Sequence, residues 1–356
     1  MSRNLSFHQL IKEIISIYST LILEKVLSDD EKSNYILNSI KFLNNYNNIS
    51  DFVVGKASNQ DIYHFLKLLL DVVGLVCATE GSLQPIKLGD TKLIGRKRDL
   101  MGVYKGDDSS VDQNMCATLF QGWIKRKNFP FKISKDLRNV VPKNLQSCDF
   151  LLEGKRNKTL VECKRVHFIN EIKDNNDLIT NIEKKSIDWI NKSIPQFEST
   201  EKFLNEKNYY RHLILDISAY GKNCISDFGD YNIVGLLESK EIKQIIANLE
   251  TYEFAGIDEI TFCWSELYMF EDKPRTFVYR TTPLKINKKT PSLFNYEGWT
   301  IEFYPLEKKT NEFKELRISS VARSQAWIKA SWYSCIDNLL TYGHEETNKE
   351  YKSKHC

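Results

Sequence analysis

Little in this sequence points outward. Its charges nearly cancel: 50 Lys and Arg against 47 Asp and Glu leave a formal +3 over 356 residues. No global field therefore draws nucleic acid to it, and any basic surface has to be a local patch. No run approaches the length of a membrane span, and no basic segment with a long apolar core opens the chain. A cytoplasmic protein without membrane contact is the expectation. The eight cysteines lack paired spacing, and several sit inside apolar runs such as Val76-Cys77 and Phe262-Cys263-Trp264. Buried free thiols explain that pattern better than a disulfide framework or a zinc site. No Gly-x-x-x-x-Gly-Lys-Ser/Thr loop cradles a phosphate, and His344-Glu345-Glu346 lacks the second His of a zinc-protease helix.

What remains is a globular composition, 42% apolar and 27% charged, long enough for one large domain or two ordinary ones. Residues 1–105 read as a helical region. Leu10, Ile14, Ile17 and Leu21 keep helical spacing between Phe7 and Leu27, and further helices fit Asp30 to Leu43 and Asp61 to Cys77. This bundle is either an interaction module or packing for the rest of the chain. Leu88 to Asp108 is a polar connection whose Arg96-Lys97-Arg98 run fits a solvated loop, or else a phosphate-contacting edge. From Ser109 to Lys127 a stripe of Val111, Met115, Leu119 and Trp123 predicts another helix, stopped by Asn128-Phe129-Pro130. Phe131 to Ser134 fits a first strand.

The chain then reaches its most unusual stretch. Cys148-Asp149-Phe150-Leu151-Leu152 and Leu160-Val161-Glu162-Cys163-Lys164-Arg165 are apolar strands joined by a polar turn, Glu153 to Lys158. Apolar neighbours on both sides suggest a hairpin buried in a larger sheet. Yet Asp149, Glu162 and Lys164 sit inside it, and unpaired buried charges are expensive. Period-two alternation puts Glu162 and Lys164 on one face with Leu160 and Val166, and turns Val161 and Cys163 to the other. If the hairpin closes near Gly154, Asp149 lies beside the middle of the second strand. Two carboxylates and one ammonium then converge. Such a pair of carboxylates calls for a cation between them, and a hard oxygen site suits Mg²⁺ or Mn²⁺.

Asp149 followed by Glu162-Cys163-Lys164 resembles the signature of the PD-(D/E)xK nuclease superfamily, the restriction-endonuclease-like fold. Cys148 stands where that signature has Pro. The resemblance covers roughly residues 108–220 and draws its weight from the apolar strands and from the elements around them. It implies an α/β fold with an αβββαβ core and a mixed central sheet. It implies that Asp149 and Glu162 are metal ligands, with the Cys163 carbonyl a further one, and that Lys164 positions the attacking water. Asp112 is the one acid in the preceding helix that could join the site, against the plainer reading of an exposed first-turn Asp. Nucleases of this fold also place Lys or Gln from the next helix near the phosphate. Lys184, Lys185 and Gln196 are the corresponding positions, against an ordinary solvated helix face, and Arg165 at the end of the second hairpin strand is a further candidate for binding nucleic acid.

The remaining elements agree with that order. Asp177 to Phe197 reads as a helix with Ile179, Ile182, Ser186, Ile190 and Ile194 inward, and Arg211 to Ser218 as a buried strand. Strands fit Tyr231 to Leu236, Asp258 to Trp264, Thr276 to Thr281 and Trp299 to Tyr304, with a helix over Ser239 to Leu249. A final helix fits Ser319 to Leu340, its Trp327, Trp332 and Tyr333 packed inward. The expected organisation is a helical region over 1–105, a nuclease-like core with extensions over 106–310, and a C-terminal helix with a polar tail over 311–356. By the resemblance the protein is a Mg²⁺- or Mn²⁺-dependent nuclease acting on DNA, of the kind that serves restriction or anti-phage defence, with a homodimer or a partner protein docking through the helical region. Two rivals stand beside it. One is a catalytically inactive nucleic-acid-binding or scaffold protein on the same fold. The other is an ordinary sheet in which Glu162 and Lys164 are a structural ion pair.

Overall fold

In the computed structural model of the chain, the described residues are 131–319 apart from 143, 155–156, 167–173, 219–221, 226–230, 236–239, 271–272, 288–298 and 308–309, together with Asp30 and positions 116, 117, 120, 121 and 124. The chain divides into two compact units, Met1–Ala322 and Arg323–Cys356, and the described residues belong to the first. The helices expected before residue 106, the basic run at 96–98, Asp112 and the final helix after Ser319 lie outside them; Asp30 alone is described there, and it is helical.

The fold is α/β, built on one mixed, open sheet. Strands β1 (Phe131–Asp136), β2 (Phe150–Gly154), β3 (Lys158–Arg165) and β4 (Tyr210–Asp216) lie side by side in chain order. The first three run antiparallel, while β3 and β4 are parallel. Parallel neighbours need a crossover, and helix α2 (Asn175–Leu204) supplies it. A four-residue helix, α1 (Leu137–Val140), turns the corner between β1 and β2.

Beyond β4 the sheet widens. Strand β7 (Glu259–Phe270) pairs parallel with β4 along its first half and antiparallel with β6 (Tyr231–Gly235) along its second. A short β5 (Lys222–Ile225) extends β6. On the other edge β7 pairs with β8 (Lys273–Lys285), followed by β9 (Trp299–Glu307) and β10 (Thr310–Ser319), all antiparallel. The sheet therefore runs past residue 310, where the sequence suggests a boundary. Helix α3 (Lys240–Leu249) packs beside α2.

Helix α2 shows why these residues form this layer. Asp174 caps it by accepting a 2.9 Å hydrogen bond from the Asp177 N–H, and Asn205 ends it in the left-handed region at φ 51°. Asn tolerates that conformation and its N–H reaches back to the last carbonyls. The helix runs seven residues past Phe197, the expected end. Its inner face is Leu178, Ile179, Ile182, Ser186, Ile190, Ser193, Phe197 and Thr200, all buried, with Ile194 partly so. That face meets Leu151, Leu160, Leu213 and Leu215 of the sheet in one apolar core shared with Ile242, Ile245 and Leu249 of α3. Burying each such aliphatic side chain contributes about 1.5–3 kcal/mol.

The opposite face of the sheet is covered too. Phe150 alternates away from Leu151 and meets Phe120 with ring centroids 5.8 Å apart. Cys116, Ala117, Phe120, Gln121 and Ile124 are helical and buried, one or two positions along from the expected stripe, whose own side chains lie outside the described residues. With cover on both faces, β4 carries the apolar run Leu213-Ile214-Leu215 at its centre, as suits a central parallel strand.

Candidate functional site

β2 and β3 build the site at the end of their hairpin. Their register pairs Phe150 with Val161 and Leu151 with Leu160, so Asp149 lies one residue before the start of β2. Its backbone is fixed twice: the Leu137 N–H donates to its carbonyl at 2.8 Å, and its own N–H donates to the Val161 carbonyl at 3.0 Å. The preceding Cys148 N–H donates to Thr200 of α2 at 2.9 Å, which ties this corner to the crossover helix.

Because β2 begins at Phe150, Cys163 has no backbone partner on that side. Its N–H donates instead to Asp149 Oδ2 at 2.8 Å, which aims the carboxylate at the middle of β3. A strand residue turns its N–H and C=O to the same side, so the Cys163 carbonyl is directed there as well. The Cys163 thiol is buried and free, on the sheet face away from Glu162.

Glu162 and Lys164 share the face covered by α2. They form an ion pair with side-chain exposures of 1% and 12%. The Lys164 ammonium bonds Glu162 Oε1, whereas Glu162 Oε2 is buried with no hydrogen-bond partner. An orphaned carboxylate oxygen in the interior is costly, commonly about 1–3 kcal/mol and more when charged.

The electrostatics follow from that burial. Desolvation pushes Glu162 up to about 8; the Lys164 ammonium opposes this and the Asp149 charge adds to it. Asp149 is also raised by desolvation, with Arg138, Lys164 and the Cys163 N–H opposing. Burial by itself would lower Lys164, but the Glu162 and Asp149 carboxylates outweigh it and raise the ammonium. Asp149, Glu162 and Lys164 therefore act on one another as a single charged group. The arrangement carries too little positive charge for two ionised acids. A hard divalent cation bound by carboxylate oxygens would satisfy both the repulsion and the orphaned oxygen. Among the described residues no group of three or more His, Cys, Asp or Glu side chains is placed to hold a metal ion.

Two side chains at the site escape a reading of the sequence. Arg138, on α1, makes a bidentate pair with Asp136 at 2.9 and 2.8 Å and lies 4.7 Å over the Phe150 ring. Its charge acts on Asp149. Trp189, on α2, lies beneath the Lys164 ammonium, 5.5 Å from the ring centroid. A helix of four residues leaves no periodic trace that would reveal Arg138. Trp189 falls beside an apolar stripe and reads as core packing.

The other expected residues are spread out. Arg165 is 1% exposed and turned to the opposite sheet face, where its Nε donates to Asp216 at 2.9 Å. Lys184 is exposed and Lys185 partly buried on α2. Gln196 keeps a buried side-chain oxygen without a partner. Asp112 lies outside the described residues.

No protein-family model matches the chain, and comparison with curated proteins and with solved structures gives no significant match. Among the described residues no helix is long and apolar enough to cross a membrane.

Proposed function

We propose that the protein is a metal-dependent nuclease of the restriction-endonuclease-like fold, hydrolysing phosphodiester bonds of DNA in the cytoplasm. The observation that carries this reading is the buried convergence of Asp149, Glu162 and Lys164, with Glu162 Oε2 left without a hydrogen-bond partner. The order of a buried helical segment, three antiparallel strands, a crossover helix and a parallel strand supports it.

Asp149 and Glu162 would hold Mg²⁺ or Mn²⁺, with the Cys163 carbonyl beside them. Bound there, the ion supplies an activated water and takes up charge on the phosphate oxygens. The protein's own groups do the rest. Cys163 N–H keeps Asp149 aimed. Lys164 has a route outward at 12% exposure, and once Glu162 faces a cation its ammonium is available to orient water and to offset charge on the phosphate. The 1–105 region would dock a partner or a second copy, in keeping with an effector of restriction or anti-phage defence.

The test is cleavage of plasmid, linear and single-stranded DNA, and of RNA, with Mg²⁺, with Mn²⁺ and with EDTA. Metal-dependent cutting that is lost in Glu162→Ala and in Lys164→Ala is expected, with DNA the better substrate. Equal cutting by wild type and both variants would sink the proposal. A folded wild type that cuts nothing and binds no Mn²⁺ would return the pair to a structural role in a scaffold.

A further inference from the structure

We propose that Trp189 and Lys192 form a nucleotide-binding subsite next to Lys164, taking an unpaired base on the indole and its adjoining phosphate on the Lys192 ammonium. The subsite rests on the nuclease reading above and names how the strand would be held.

Three observations place it. The Lys164 and Lys192 ammonium groups both lie over the Trp189 ring, 5.5 and 5.0 Å from its centroid. Trp189 packs against the core yet remains partly exposed, and Lys192 is exposed. Lys185, Trp189 and Lys192 follow at i, i+4 and i+7, so they share one stripe of α2 that runs from the site toward solvent. Among the acids nearby, Glu162 pairs with Lys164 itself. Glu183 accepts from Asn248 at 3.1 Å, leaving Asp188, a turn before Lys192, as the acid closest along the helix.

A nucleotide carries a phosphate on either side of its base. An indole with one ammonium at the buried reaction centre and another at the surface matches that alternation. Every base has a π-face, so such a platform accepts any sequence, and it needs the base out of a duplex. In the free protein the two cations occupy the ring by cation–π contact; a stacked base would displace them toward the flanking phosphates.

The experiment is fluorescence anisotropy of a labelled single-stranded oligothymidylate, an oligouridylate and a DNA duplex. The full chain is used in EDTA, so that binding is read without cleavage. Trp189→Ala is expected to weaken single-strand binding about 5- to 150-fold, with Trp189→Phe restoring most of it. Lys192→Glu, whose exposed side chain keeps folding out of the question, should weaken it as well. It should also lower the salt dependence, by about 0.7 in log–log slope for each phosphate no longer bound. Duplex binding should change less. Binding by Trp189→Ala and Lys192→Glu equal to wild type would overturn the subsite. So would a loss in Trp189→Ala matched by a lowered melting temperature while Lys192→Glu binds normally. If wild type binds the oligonucleotide through these residues but cuts nothing with Mg²⁺, the nuclease reading fails and the subsite stands. If it cuts normally and neither variant changes binding or KM, the subsite alone fails.

Discussion

Two buried ion pairs sit almost side by side in this sheet and are built differently. Glu162–Lys164 lies on the face under α2, and Arg165–Asp216 on the opposite face. Asp216 is fully satisfied: Oδ2 accepts from Arg165 and Oδ1 from the Ser218 N–H at 2.9 Å. Glu162 keeps an orphaned oxygen, a second carboxylate within range and a partner that can reach solvent. A buried pair that serves the fold has its acceptors filled, while one poised for chemistry leaves a place open. On the same opposite face Tyr210 donates to Glu259 at 2.6 Å and His212 is joined to Thr261 at 2.8 Å.

The largest effect should come from breaking the filled pair. Asp216→Ala removes the carboxylate paired with a guanidinium that is 1% exposed and should cost about 3–5 kcal/mol in chemical denaturation. Glu162→Gln, by contrast, should stabilise the metal-free protein in alkali. Glu162 is raised to about 8 from an ordinary carboxylate value, so the folded state favours its neutral form. Stability is thus lost as pH climbs from about 4.5 through 8, by up to about 1.4 kcal/mol per unit. The Gln variant should be free of that loss. Equal destabilisation by both substitutions would erase the distinction between the pairs.

The opposite face should respond to acid instead. Burial lowers His212 to about 3, so its contribution is present above its ordinary value of about 6.5. It is lost as pH falls toward 3, again by at most about 1.4 kcal/mol per unit. Melting temperatures across that window should fall less steeply in a folded His212→Gln variant than in wild type. The smallest effect belongs to the exposed pair Lys158–Glu206. Lys158→Ala should leave the denaturation midpoint within error, and a clear loss would show that exposure is a poor guide here.

Much of this contrast is legible in the sequence, and its limits have physical causes. The hairpin and its triplet stand out because three charges interrupt apolar strands, and alternation then assigns Glu162 and Lys164 one face. The same alternation places Arg165 on the other face, yet a terminal arginine reads more readily as a surface cation. Its partner Asp216 lies 51 residues away on β4, a pairing that only the parallel register creates. β10, TNEFKELRIS, has little apolar alternation and owes its strand to pairing with β9. β5 is four residues long, too short for a period to show. Trp189 stays hidden for a different reason: helical spacing says which face a side chain shares, while only the packed helix shows that the site's lysine lies over it.

The most direct measurement is calorimetric titration of Mn²⁺ into the full chain at pH 7, in two buffers of different ionisation enthalpy. Burial raises the Glu162 carboxyl's affinity for a proton, so a cation that binds through it competes with that proton. The account predicts one site, proton release on binding, and loss of binding in both Glu162→Gln and Asp149→Asn. Folded wild-type protein that takes up no Mn²⁺, or binding that survives in both variants, would contradict it.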